Sequence, residues 1–126
     1  ETKEKLAKIL LSAIKDDISS LGPKAQELID IDEKTENLLE FCLSYFRDIL
    51  ILKTRGKAFL YNKDIEELIE KGENMLFLDS LLLILKKTLN QLKIAKSRGN
   101  KNLIWFNLLL ELREVMHSGY YSRCTI

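Results

Sequence analysis

Few residues in this 126-residue chain have a type and spacing that could do chemistry. His117 is the one histidine. A general base needs a partner to orient it, and no acid or nucleophile pattern surrounds His117. At the end of a helical stretch it suits the helix dipole and reads as a surface residue. The two cysteines, Cys42 and Cys124, lie far apart and make no metal-ligand spacing with a single histidine. Cys42 sits among apolar residues and reads as a small buried hydrophobe, while Cys124 reads as an exposed thiol. A phosphate cradle needs two spaced glycines before Lys-Ser/Thr. Arg55-Gly56-Lys57 and Arg98-Gly99-Asn100 have one each. The carboxylate pairs Asp16-Asp17 and Glu66-Glu67 fall on hydrophilic faces and read as solvated charge. These residues point to no enzyme, no cofactor and no metal.

Charge is informative where catalysis is not. The net charge of +1 gives no global pull towards nucleic acid or acidic membrane. Locally the signs separate. Between residues 80 and 110 there are six basic residues (Lys86, Lys87, Lys93, Lys96, Arg98 and Lys101) and no acid. Between 27 and 40 there are six acids (Glu27, Asp30, Asp32, Glu33, Glu36 and Glu40) against Lys34 alone. Such separation steers docking with partners, and Lys86, Lys93, Lys96, Arg98 and Lys101 are the candidate partner-facing charges. A nucleic-acid site along 86–101 is the alternative. It is the weaker reading, because Phe77, Trp105 and Phe106 read as core residues rather than stacking platforms.

The elements that position these residues are helical. Apolar residues make up 46% of the chain and charged residues 31%, and Leu and Ile dominate where Val occurs once, so helix is favoured over sheet. Residues 2–21 place Leu6, Ile9, Leu10, Ala13, Ile14, Ile18 and Leu21 on one stripe that Gly22-Pro23 should end. A second helix begins with Pro23 in its first turn and breaks near residues 30–33. Residues 38–52 are apolar except for a strip of Glu40, Ser44, Arg47 and Asp48, which predicts a central helix covered on several sides. Ile65, Leu68 and Ile69 face inward from a short helix that opens near Asn62–Asp64 and stops at Gly72. A fourth strong stripe, Leu78, Leu82, Leu85, Leu89 and Leu92, reads as the inner face of a helix over 74–97. Trp105, Leu108, Leu109, Leu112 and Met116 are the buried face of the last helix, over 101–117, with Asn107, Glu111 and Glu114 wet and a loose tail over 118–126. Nothing alternates with period two over strand length. The expected fold is a single all-α domain, a compact bundle of five to six helices.

The longest apolar run, near 75–85, is interrupted by Asp79 and is too short to cross a bilayer, so no membrane partner and a reducing cytoplasm are expected. The chain begins at Glu1 with helix already under way, which fits a piece of a longer protein.

Three pieces of residues 38–112 together resemble the C-terminal collar domain of bacterial clamp-loader subunits, most like the delta-prime family of the DNA polymerase III holoenzyme. Tyr45-Phe46-Arg47-Asp48-Ile49-Leu50 is similar to that family's aromatic-Arg-Asp-Leu-Leu helix. Leu60-Tyr61-Asn62-Lys63-Asp64 is similar to its Asn-x-Asp entry into a short helix, and Asn100, Leu103 and residues 108–112 to its closing segment. Arg98 and Phe106 depart from the pattern, standing where the family often has asparagine and an acid. The resemblance implies an oligomerisation domain that follows an AAA+ module. It would join the other clamp-loader subunits in a five-membered collar and meet the sliding clamp and primer-template DNA only through the full assembly. It also marks Arg47, Asp48, Asn62, Asp64 and Asn100 as an architectural motif, in which Arg47 and Asp48 could anchor a buried turn or a helix end, for example near Asn62.

Overall fold

A computed structural model describes residues 2–16, 18–31, 34–97 and 99–125, with side chains to Met116. The protein is 89% helical, with six α-helices and no strand among the described residues. In order these are α1 (Thr2–Lys15), α2 (Leu21–Ile31), α3 (Thr35–Thr54), α4 (Glu66–Met75), α5 (Leu78–Lys96) and α6 (Lys101–Thr125). Short 3-10 turns precede α2 and α4, and a third follows α3.

The first helix ends earlier than its apolar stripe predicts. The acidic pair after Lys15 opposes the dipole of a helix that would continue through it. Chain direction changes there, and Lys24 of α2 meets the Asp16 carboxylate at 3.1 Å while Arg113 of α6 donates to the Asp16 carbonyl. Ile18, expected on the inner stripe, is 62% exposed as a result. Gly22-Pro23 therefore opens α2 rather than closing α1, and Pro23 occupies a first-turn position where the missing N–H costs nothing.

Two long helices organise the interior. α3 packs against α5 and α4 and also touches α1, and α6 packs against α5, α2 and α1. From α3 the core takes Leu39, Cys42, Tyr45, Phe46 and Ile49, and from α6 it takes Ile104, Trp105, Leu108, Leu109, Leu112 and Val115. Leu38, Phe41, Leu43, Leu50, Ile51 and Leu52 are half-buried against the same cluster, so α3 is covered on most of its girth. Burial pushes the Cys42 thiol well above its ordinary range, which leaves it protonated and inert. α6 continues as helix to Thr125, where a loose tail was expected from Ser118; the side chains of His117 and Cys124 lie outside the described residues.

Two glycines have distinct jobs. Gly56, at φ 94°, turns the chain out of α3 while its N–H and that of Arg55 both donate to the Ile51 carbonyl. Gly72, expected to stop the short helix, lies buried inside α4 instead. A methyl group there would overlap the Ile49 side chain and stand 3.1 Å from the Tyr45 hydroxyl. The glycine thus lets α4 lie close on α3, where the Tyr45 hydroxyl donates to the Leu68 carbonyl at 2.8 Å.

Gly72→Ala should therefore lower stability by about 1–2 kcal/mol, overpacking outweighing the gain of roughly 1 kcal/mol in helix propensity. Ile49→Val removes the overlapping methyl. Urea denaturation should show that Gly72→Ala costs less in the Ile49→Val background than in the wild type. Equal costs in both backgrounds would refute the close-approach account.

Candidate functional site

The polar strip of α3 does not all face water. Asp48 lies on it at 0% exposure, so its carboxylate must find hydrogen bonds inside the protein. It finds them in the turn that leads to α4. Oδ1 accepts from the Tyr61 N–H at 3.0 Å, and Oδ2 accepts from the Asn62 N–H at 2.7 Å and the Asn62 side-chain amide at 2.9 Å. The same amide donates to Ser44 Oγ at 3.1 Å, which ties the turn to α3 at two successive helical levels. Arg47 supplies the counter-charge from the surface, 3.4 Å from Asp48 Oδ1 with its side chain 55% exposed.

Of the five motif residues, the structure brings Arg47, Asp48 and Asn62 together and places the other two elsewhere. Asn62 is fully buried and makes no side-chain cap: its Nδ2 donates to Asp48 and Ser44, and its Oδ1 has no hydrogen-bond partner among the described residues. Asp64 is exposed and reaches Lys3 of α1 at 3.7 Å. Asn100 caps α6: its Oδ1 accepts from the Asn102 N–H at 2.8 Å and the Leu103 N–H at 3.3 Å.

The tether holds the turn with its aromatic residues outward. Leu60 is buried, while Phe59 and Tyr61 on either side of it are 58% and 75% exposed. Arg55 stacks over the Phe59 ring at 5.2 Å, and Lys57 sits between Glu70 at 3.0 Å and Glu66 at 3.3 Å. Glu66 is thus paired rather than part of an acid–base couple. An open groove of about 560 Å³ runs beside the tether, lined by Lys3, Glu40, Phe41, Arg47 and Tyr61. It mixes both signs of charge with two aromatic faces, and its one serine hydroxyl, Ser44, donates to the Phe41 carbonyl and accepts from the Asn62 amide. Among the described residues no group of three His, Cys, Asp or Glu side chains could hold a metal ion. None of their helices is long and apolar enough to cross a membrane.

The larger surprise is α5, whose inner face is not the leucine stripe. The buried residues are Ser80, Leu81, Ile84, Thr88, Gln91 and Leu92. Leu78 (44%), Leu82 (50%) and Leu89 (43%) of the expected inner face are exposed, with Leu83 (47%) and Phe77 (44%) beside them. Leu85 is half-buried and Leu92 alone of that stripe is buried. The buried polar groups on the inner face are largely satisfied: Thr88 Oγ1 donates to the Ile84 carbonyl at 2.8 Å, and Gln91 Nε2 to Glu111 at 3.0 Å. α6 adds a second outward apolar row, with Leu103 61% and Phe106 39% exposed and Leu110 half-buried. Of the aromatic residues expected in the core of this region, only Trp105 is there.

The candidate partner-facing charges divide accordingly. Lys86, Lys93, Lys96 and Lys101 are exposed, whereas Arg98 lies outside the described residues, as do Asp17, Asp32 and Glu33. Lys87 turns towards α6 and reaches Glu111 at 3.8 Å.

Sequence reading missed the outward rows and the aromatic pair at 59 and 61. The one usable signal for α5 was that apolar residues surround most of it, so that more than one stripe qualified as inner.

Comparison with family models, with curated proteins and with solved structures finds no match for the chain in any of the three.

The geometry ranks the tether's parts. Asp48→Ala removes three hydrogen bonds, leaves the buried Asn62 N–H unsatisfied and should cost about 3–4 kcal/mol, a large share of the ~5–15 kcal/mol that stabilises a domain. Asp48→Asn keeps one acceptor and turns a donor on a donor, and should cost about 2–3 kcal/mol. Arg47→Ala, at the exposed end, should cost under about 1 kcal/mol. Chemical denaturation of the three variants tests the order, and an Arg47 variant as damaging as Asp48→Ala would contradict it.

Proposed function

We propose that this chain is a non-catalytic oligomerisation domain that builds a larger protein assembly. The observation that supports it most is the outward leucine row of α5. A helix that leaves Leu78, Leu82, Leu83 and Leu89 in water while Ser80, Thr88 and Gln91 turn inward supports a face that another protein covers. The second row on α6 points the same way, since a subunit inside an assembly is covered on more than one side.

The specific form of the proposal is a clamp-loader collar domain, most like that of the delta-prime subunit. It would act in the bacterial cytoplasm to place its subunit in the five-membered loader ring for DNA replication. It rests on the resemblance of residues 45–50, 60–64 and 100–112. The linkage of Asp48 to the Asn62 turn adds a physical reason for an Arg-Asp helix and an Asn-x-Asp turn to occur together. The AAA+ module would lie in the rest of the protein, and the sliding clamp and primer-template DNA would be met only through the full ring.

A second reading draws on the same helix. Lys86, Lys93, Lys96 and Lys101 are exposed, so nucleic acid along 86–101 is sterically open. The outward aromatics of the region, Phe77 and Phe106, are each less than half exposed, which leaves little stacking platform beside the lysines.

Mixing the purified chain with the clamp-loader subunits of the same organism, followed by size-exclusion chromatography with light scattering, separates the readings. Co-elution in a defined complex is expected, with only weak, salt-sensitive and sequence-indifferent binding of primer-template DNA by the chain alone. A chain that elutes alone would defeat the collar assignment. Submicromolar, sequence-selective DNA binding lost in Lys93→Glu/Lys96→Glu would favour the second reading.

A further inference from the structure

The outer side of α5 is not uniformly apolar. Leu78, Leu82, Lys86, Leu89 and Lys93 follow one another at steps of four, four, three and four, so they form one continuous row on the helix surface. The row runs for about 22 Å, four turns of helix. Beside it an open groove of about 450 Å³ lies towards α6, lined by Leu83, Lys86, Leu89, Lys93 and Glu111 among others.

The lysines of this row have no carboxylate partner among the described residues, as is also true of Lys5, Lys8, Lys15, Lys34, Lys63 and Lys71, but these two alone interrupt a row of exposed leucines. Lys3, Lys24, Lys53, Lys57 and Lys87 each reach a carboxylate within the chain. Lys86, Lys93 and Lys96 are exposed and form no ion pair among the described residues. The carboxylate that lines the groove, Glu111, is held by Gln91 and Lys87 and offers them no counter-charge. Asp79 lies at the opposite, N-terminal end of α5, so the face is polarised along its length.

Resting on the oligomerisation reading, we infer that this face receives an amphipathic helix of a neighbouring subunit, with an apolar stripe that packs on Leu78, Leu82 and Leu89 and an acidic flank that meets Lys86 and Lys93. The leucines supply the dehydrated contact. The lysines select an acidic partner and fix its direction, since a basic flank there would place like charges together with no carboxylate between them. The partner's acids fall beside the C-terminal half of α5, away from Asp79.

The test uses the complex of the chain with its clamp-loader subunits and two double variants at exposed positions. Leu82→Asp/Leu89→Asp should weaken association at least tenfold, with the helical circular dichroism spectrum unchanged. Lys86→Glu/Lys93→Glu should slow association at least tenfold at physiological salt, and the loss should shrink as salt rises. Lys5→Glu/Lys8→Glu on the exposed side of α1 makes the same change in net charge and should leave association as it is. If the wild type joins the complex and the α5 variants join it equally well, the docking face is refuted while the oligomerisation reading stands. Loss on leucine substitution without loss on charge reversal would refute the acidic partner. A wild-type chain that joins nothing would overturn the oligomerisation reading and this inference with it.

Discussion

A carboxylate shut away from water has to be given hydrogen bonds by the protein around it, and much of this fold's shape answers to that need at Asp48. Its oxygens take three N–H bonds from Tyr61 and Asn62, residues separated from it by thirteen and fourteen positions. Satisfying them fixes where the chain goes after α3. The turn is drawn back on the helix, Leu60 is pressed into the core, and α4 starts in place to run alongside α3. Gly72 then allows the close approach that the tether has set up, and Tyr45 bonds across the seam to the Leu68 carbonyl. Burying the charge is costly on its own account, and its return is conformational: one turn geometry satisfies all three donors.

How much of this was legible in the residues varies with the kind of information each step needs. Periodicity reports local geometry, and it located every helix, because apolar residues three and four apart mark a helix whatever covers it. Asp48 was visible as part of a polar strip, but a strip in a sequence does not distinguish a wet carboxylate from one sealed by a distant turn. Only the family resemblance linked it to the neighbourhood of Asn62. Gly72 looked like a helix stop because most isolated glycines near a helix end are stops. Its role depends on Ile49 and Tyr45, more than twenty positions earlier, and no local pattern carries that. Ile18 was lost to the core because the break at Asp16 rotates the chain before the stripe is complete.

The misread face of α5 has a different cause. Hydrophobicity says how much a face gains by leaving water and nothing about which neighbour takes it. The face that turns inward mixes Leu81, Ile84, Gln91 and Leu92 with the smaller Ser80 and Thr88, and Ala95 packs partly against the same core. Small residues let α5 approach α3 and α6 closely enough for the large ones to interlock. A row of bulky leucines at every position would hold the helices apart. Shape thus decides the inner face and hydrophobicity is left to supply the outer one. A sequence that is apolar on two sides of one helix is therefore legible as buried twice, although not in which order.

Magnitudes narrow what the outer face can be. Leu78, Leu82, Leu83 and Leu89 are each a little under or at half exposure, so covering all four would contribute roughly 1 kcal/mol apiece. Association costs on the order of 4–15 kcal/mol in lost freedom before any interface becomes stable. The leucine row by itself does not meet that cost. Unpaired lysines raise the rate of encounter and the selectivity for an acidic partner more than the affinity. The α5 face is therefore too small to hold a partner alone, and it makes physical sense as one contact among several. The second outward row, Leu103, Phe106 and Leu110 on α6, provides another. A domain that offers modest contacts on separate helices is suited to a closed assembly, where each subunit is held by more than one neighbour and no single pairwise interface has to be strong.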